Sequence, residues 1–127
     1  MAVWKDVSRI ALALPETKEE LKSGSARWSV RDKCFAWERP LRPADLRALG
    51  NRAPKGPVLA LRVEHLLAKE ALLASQTDVC FTTPHFDGYP AVLIRLDTIR
   101  ARDLKPLLVE AWLARAPKRL ALGLKSH

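Results

Sequence analysis

Two near-continuous apolar runs, VLALRV at residues 58–63 and AVLIRL at residues 91–96, constrain the fold more than any other feature of this chain. Both predict β-strands, and the run at residues 58–63 is typical of a strand at the centre of its sheet. A third short strand is predicted at residues 79–81. The chain therefore contains a sheet with a buried middle.

Two further runs, residues 27–30 and 33–38, predict a hairpin because they are rich in β-formers and flank a polar dipeptide. Strict alternation in residues 33–38 places Cys34, Ala36 and Glu38 opposite Phe35 and Trp37. The turn, Arg31-Asp32, lacks the usual glycine, which leaves the turn type open. The SGS sequence at residues 23–25 is a second turn signal, and residues 16–22 are interpreted as a polar connector with room for one extended piece.

Amphipathic periodicity predicts helices between these strands. They are predicted at residues 2–14, 44–50 and 64–74, and from Asp103 to a break at Pro117, with one more turn at residues 118–121 and fraying from Gly123 to His127. The order predicts an α+β fold, a twisted antiparallel sheet of about five strands with the long helices packed on one face. We expect a single domain, residues 1–127, ordered over about 2–121.

Composition favours a partner that is a polyanion. The 127 residues carry 22 Lys and Arg against 14 Asp and Glu, a net charge of +8. The sequence shows neither a long apolar run nor the basic-then-apolar order of a signal peptide, so we expect a cytoplasmic protein without membrane contact. Cys34 and Cys80 lack zinc-ligand spacing and are expected to be free, buried thiols.

The basic residues concentrate between positions 27 and 55, where eight cations face three acids. Guanidinium groups suit phosphates because they donate in a planar fork. The candidates for nucleic-acid contact are Arg27, Arg31, Lys33, Arg39 and Arg42, which the tail residues Lys118 and Arg119 would extend. The alternatives are a solvated face for the first group and favourable helix-dipole interactions for the tail.

The loop at residues 82–90 is a second candidate site, formed by Thr83, His85, Asp87 and Tyr89. His85 and Asp87 could hydrogen-bond as an acid–base pair, but a third group for a metal site or a triad is missing. Local turn hydrogen bonds explain the same residue types. No cofactor, metal site or catalytic residue is predicted. Trp28 and Trp37 are the candidates for base stacking, with core packing as the alternative.

Four stretches together resemble the MmcQ/YjbR family of small bacterial proteins. They are ALALPE at residues 11–16, WSVRDKCFA at 28–36, FTTPHFDGYPAVLIRL at 81–96 and EAWLARAPK at 110–118. The resemblance covers residues 3–121 and implies a CyaY-like α+β fold that binds DNA through a double wing of projecting hairpins. It implies no catalytic motif. Frataxin-like proteins share the general fold and bind iron on acidic ridges, but the first helix here lacks an acidic cluster, so iron binding is not implied.

The sequence thus supports a non-enzymatic domain that binds nucleic acid weakly, by electrostatic contact with the phosphate backbone of the nucleic acid. The alternative is a protein-interaction or small-ligand module that uses residues 83–89. An enzyme is the third possibility, without a nucleophile–base pair to support it.

Overall fold

The computed structural model describes residues 1–125 and contains one antiparallel sheet flanked by five helices. The strands are β1 (Thr17–Lys22), β2 (Ser25–Val30), β3 (Lys33–Glu38), β4 (Val58–Arg62), β5 (Cys80–Phe81) and β6 (Ala91–Arg95). The helices are α1 (Trp4–Leu12), α2 (Pro43–Leu49), α3 (Leu66–Ser75), α4 (Ala101–Arg115) and α5 (Lys118–Lys125). The strand order is β1-β2-β3-β4-β6-β5, which confirms the predicted α+β class and places the two apolar runs side by side near the centre.

The sheet has six strands rather than the predicted five. The additional strand is β1, within the segment interpreted as a polar connector. Its residues are almost all exposed, because it lies at the edge of the sheet and pairs with β2 alone. A strand of this kind shows no alternation of apolar residues, which is the signal that identifies a half-buried strand.

Two tight turns connect β1, β2 and β3. Arg31 and Asp32 have φ angles of 45° and 67°, and Ser23 and Gly24 have 53° and 82°. Positive φ at both central residues is the geometry of a type I′ turn, which matches the twist of a hairpin. The turn at residues 31–32 adopts this geometry without glycine.

The larger hydrophobic core lies on the face of the sheet that carries α1 and α4. Leu59 of β4 and Ile94 of β6 point into it and are fully buried. Trp112 of α4 is fully buried in the same core, and its indole N–H donates to the carbonyl of Pro15 at 3.1 Å. This hydrogen bond ties α4 to the turn that follows α1.

The opposite face of the sheet is covered only in part. Ala60 of β4 and Leu93 of β6 join a smaller cluster with Leu49 of α2 and Phe86 of a short 3-10 turn. The long helices α1 and α4 thus share one face, as predicted, whereas the short helix α2 lies on the other. A groove opens beside this smaller cluster, over β2 and β3.

A β-bulge in β3 decides which side chains face this groove. The register with β2 shifts so that Phe35 is an extra residue in β3. Phe35 and Ala36 are consecutive and are both buried in the larger core, while Cys34 and Trp37 both line the groove. The strict alternation predicted for residues 33–38 is therefore wrong, because one extra residue reverses the pattern.

The predicted ends of the elements agree with the structure to within two or three residues for most of the chain. The last helix is longer than the single turn predicted at residues 118–121, since α5 continues to Lys125. Fraying from Gly123 stays a prediction. Residues 126–127 lie outside the described residues.

Candidate functional site

A concave surface lies over the β2–β3 hairpin, and we call it the hairpin groove. Its volume is about 540 Å³, within the range of ligand-binding clefts, which is about 300–1,000 Å³. It is lined by Lys22, Ser23, Ser25, Ala26, Arg27, Asp32, Cys34, Trp37, Glu38, Arg62, Tyr89 and Arg115. Strands β2, β3 and β4, the loop before β6 and the end of α4 all contribute to this surface.

Strand register places a cation beside an aromatic ring in the hairpin groove. Arg27 of β2 lies directly opposite Trp37 of β3, and side chains at opposed positions share one face of the sheet. On the other side of Trp37 the opposed residue is Ala60 of β4, and Arg62 lies on that same face two residues further on.

Arg62 and Tyr89 form a pair at the edge of the hairpin groove. The guanidinium Nη1 of Arg62 donates to the Tyr89 hydroxyl at 2.8 Å, and its Cζ lies 5.0 Å from the centre of the Tyr89 ring. The pair combines a hydrogen bond with a cation–π contact, which holds the guanidinium close to the ring.

Positive charge exceeds negative charge among the described residues that line the hairpin groove. Lys22, Arg27, Arg62 and Arg115 line it together with two carboxylates, Asp32 and Glu38. The Glu38 carboxylate already accepts a hydrogen bond from the backbone amide of Ala26 at 3.1 Å. The hairpin groove therefore suits an anion.

Two of these arginines each have one N–H donor without an acceptor in the described chain. The Nε atoms of Arg62 and Arg115 are buried and have no hydrogen-bond partner within the described chain. A buried donor that lacks an acceptor costs free energy, and an anion drawn into the groove would supply acceptors to these guanidinium groups.

A second hollow, which we call the loop pocket, adjoins the hairpin groove. It has a volume of about 870 Å³ and is lined by residues 37–43 and 85–89. Trp37, Glu38 and Tyr89 line both hollows, so the two form one continuous surface. Arg42 lines the loop pocket, and its side chain is exposed.

A buried lysine holds the loop that lines this pocket. The Lys69 ammonium donates to the carbonyls of Phe86 and Tyr89, and the Lys69 side chain is buried. Burial lowers the pKa of Lys69, while the nearby carboxylate of Asp87 opposes that change. The loop is thus fixed from α3, and the position of Tyr89 depends on this contact.

The structure removes Arg39 from the set of residues predicted to meet phosphates. Its side chain is 6% exposed and forms an ion pair with Asp45, Nη2 to Oδ2, at 3.1 Å. The guanidinium also lies over the Phe86 ring, 5.3 Å from its centre. Arg39 therefore joins the segment before α2 to the 3-10 turn and does not face solvent.

Two more of the predicted residues are not available to a ligand, because Arg31 is paired with a carboxylate and Thr83 is buried. Arg31, at the exposed tip of the hairpin, is paired in a fork with Glu16, with nitrogen–oxygen distances of 3.0 and 2.8 Å. Hydrogen bonding to Arg31 lowers the pKa of the Glu16 carboxyl. Thr83 is 2% exposed, so the structure removes it from the predicted ligand loop.

The remaining predicted residues are exposed but do not all meet in one place. His85, Asp87 and Tyr89 line the loop pocket, and the His85 ring packs edge-on against Phe86. Lys33 lies beside the hairpin turn. Lys118 and Arg119 are exposed on α5 and are not among the residues that line the hairpin groove or the loop pocket.

Sequence reasoning missed Arg62, and it explained Arg115 by a favourable interaction with the helix dipole. Arg62 is the last residue of a strand that is otherwise apolar, and Arg115 is the last residue of α4. A charged residue that ends an apolar run is a signal that the run emerges at a polar surface. The sequence did not indicate that these two ends meet at the hairpin.

The two tryptophans considered for stacking have different environments. Trp28 is 1% exposed, stacks on Trp4 and donates its indole N–H to the Glu19 carboxylate at 2.6 Å. Trp28 is therefore a core residue. Trp37 packs in part against the smaller cluster and lines both hollows.

Cys80 is a buried, free thiol, and burial raises its pKa to about 11. Cys34 is also free, but it is only partly buried and lines the hairpin groove. Within residues 1–125, no cluster of three or more His, Cys, Asp or Glu side chains is placed to hold a metal ion. None of the helices described is both long and apolar enough to cross a membrane.

Comparisons with family models, with individual proteins and with solved structures each find a match to this chain. A family model described as YjbR matches residues 12–114. The uncharacterized proteins Rv2570 of Mycobacterium tuberculosis and Mb2600 of Mycobacterium bovis are each 50% identical over 123 residues, which covers 94% of this chain and 93% of theirs. The crystal structure of Deinococcus radiodurans protein DR2400, of domain family DUF419, superposes with a TM-score of 0.65 at 18% identity, covering 89% of this chain and 78% of that one.

Proposed function

The chain belongs to the YjbR family, and we propose that it is a non-enzymatic, cytoplasmic domain that binds nucleic acid through phosphates held in the hairpin groove. The observation that carries this proposal is the convergence of Arg27, Arg62 and Arg115 on one concave surface. These residues come from β2, β4 and α4, so the fold brings together charges that are far apart in sequence.

Phosphate is an anion that these groups fit well. Arginine offers several donors in a fixed plane, and such forks bind phosphate and carboxylate oxygens in pairs. Arg27 and Lys22 both line the groove, Arg27 partly exposed and Lys22 exposed, and a chain of phosphates could pass from one cation to the next. Lys33 and Arg42 are exposed on either side and would extend the contact along a polymer.

Binding of this kind should be strongly sensitive to salt. If three or four phosphates are neutralised, affinity for a 20-nucleotide DNA should fall by about 20- to 150-fold between 50 and 200 mM salt, depending on strandedness. Fluorescence anisotropy with labelled single-stranded and duplex DNA measures this directly. Arg27→Ala should weaken binding and reduce the salt slope by about one.

Arg102→Ala is the matched control, because Arg102 is exposed on α4, which packs on the other face of the sheet. It removes the same charge from a different surface and should leave the salt slope unchanged. An affinity that does not depend on salt, or equal losses for Arg27→Ala and Arg102→Ala, would contradict the proposed role of the groove.

The loop pocket supports a second candidate function, the binding of a small anionic ligand. His85, Asp87 and Tyr89 line a hollow large enough for one, and Lys69 holds their loop in place.

Adenosine monophosphate at a hundred times its dissociation constant should then stabilise the fold by about 2.7 kcal/mol, measured by thermal unfolding. His85→Ala should remove that shift. A shift that persists in the variant, or none in the parent protein, would count against this candidate.

A further inference from the structure

We infer that the nucleic acid taken by the hairpin groove is an unpaired strand, with a base stacked on Trp37 beside a phosphate held by Arg27. This inference rests on the proposed function. It adds that the nucleic acid is single-stranded, and it names the residue that stacks on a base. It follows from the placement of rings and cations within the same hollow.

The β-bulge is the feature that presents Trp37. Because Phe35 and Ala36 both turn into the larger core, the next residue, Trp37, lies on the groove face. One part of the Trp37 side chain packs against the smaller cluster, which fixes its position, and the rest lines the groove. A fixed, partly exposed indole is the kind of platform on which bases stack.

The Arg62–Tyr89 pair supplies a second flat surface in the same groove. The guanidinium lies over the Tyr89 ring at 5.0 Å and is oriented by the 2.8 Å hydrogen bond to the hydroxyl. Tyr89 is 42% exposed. Guanidinium planes and aromatic rings both stack on the faces of unpaired bases.

An unpaired strand suits this surface better than a duplex. Cations and rings line one concavity, so a ligand that uses both must bring a phosphate and the face of a base into it together. In a duplex the faces of the bases are covered by their neighbours in the stack, and a protein surface meets the phosphates, the sugars and the base edges instead. A single strand can unstack one base and place it next to its own phosphate.

The tip of the hairpin is poorly suited to a duplex. Arg31 is already paired with Glu16 in a fork, and Asp32 adds a negative charge beside it. A projecting tip that meets a duplex backbone would need free cations. Lys33 is exposed beside the turn, whereas Arg27, Arg62 and Arg115 line the groove.

The test compares labelled (dT)10 and (rU)10 with a duplex of the same length at 50 mM salt, by fluorescence anisotropy and by the tryptophan emission of the protein. We expect at least one single strand to bind about tenfold more tightly than the duplex and to quench part of the emission. Trp37→Leu should weaken that binding about tenfold and abolish the quenching, with duplex affinity unchanged.

Trp37→Phe separates a loss of stacking from a loss of folding. It keeps a ring in the groove, so the strand should still bind, but the change in tryptophan emission should disappear. Circular dichroism and thermal unfolding establish that both variants are folded.

The outcomes distinguish the two proposals. Salt-sensitive binding that is equal for strand and duplex and unaffected by Trp37→Leu would overturn the unpaired-strand inference and leave phosphate binding in the groove intact. No binding of either form at 50 mM salt would overturn both.

Discussion

Replacement of Asp45 by alanine should lower the free energy of unfolding by about 3–5 kcal/mol. Asp45 and Arg39 form an ion pair in which both side chains are almost inaccessible, 4% and 6% exposed. Removal of the carboxylate leaves the Arg39 guanidinium buried without its counter-charge. It also removes the acceptor for the Arg42 amide, which lies 2.8 Å from the carboxylate at the start of α2. Urea denaturation at pH 7 measures the loss.

The same pair should make the free energy of unfolding depend on pH under acidic conditions. Burial alone would raise the pKa of Asp45, but the Arg42 amide and the charge of Arg39 outweigh it, and the pKa lies below its ordinary value of 3.8. The unfolded chain therefore binds protons more readily, so this contribution is complete above about pH 4 and is lost as pH falls through the lower folded pKa. Asp45→Asn should flatten the fall in stability below pH 4.

An exposed ion pair provides the matched control. Glu16 and Arg31 also form an ion pair, joined in a fork, but both side chains are about half exposed. Water and salt screen such a pair, so Glu16→Ala should shift the urea midpoint little. Equal losses for Asp45→Ala and Glu16→Ala would mean that the Arg39–Asp45 pair is not isolated from solvent.

Apolar pattern was sufficient to predict most of the fold. The runs at residues 58–63 and 91–96 became the neighbouring strands β4 and β6, because a segment buried on both faces has few alternatives to a central position. Strand β1 was missed for the opposite reason. Its residues face solvent, and its position depends on pairing with β2, which leaves no periodic trace in the sequence.

The site was less predictable, because it depends on contacts between distant residues. Charge alone favoured Arg31 and Arg39, yet each is neutralised by a carboxylate that sequence distance does not reveal, Glu16 and Asp45. Arg62 gave only a weak signal and became part of the groove through its contact with Tyr89. A count of basic residues thus predicts that a polyanion is a reasonable partner, but not which residues meet it.

Truncation of Trp112 to alanine should also cost about 3–5 kcal/mol. The side chain is fully buried between α4 and the sheet, and its removal leaves a cavity that the surrounding strands cannot fill by collapse. The hydrogen bond from its indole to the carbonyl of Pro15 is lost as well. Thermal and urea unfolding of the variant measure the effect.

Two variants separate the causes of that loss. Trp112→Phe keeps most of the ring and removes the donor to Pro15, so it should cost only about 1–2 kcal/mol. Trp37→Ala truncates a tryptophan that is partly exposed in the groove, and it should destabilise the fold less than Trp112→Ala.

The comparison also bears on binding, because Arg115 lies one turn beyond Trp112 on α4. Trp112 is fully buried and does not line the groove, so Trp112→Phe should retain nucleic-acid affinity, whereas Trp37→Ala should lose affinity while remaining folded. A Trp37→Ala variant as unstable as Trp112→Ala would show that Trp37 supports the core instead of presenting its ring to a ligand.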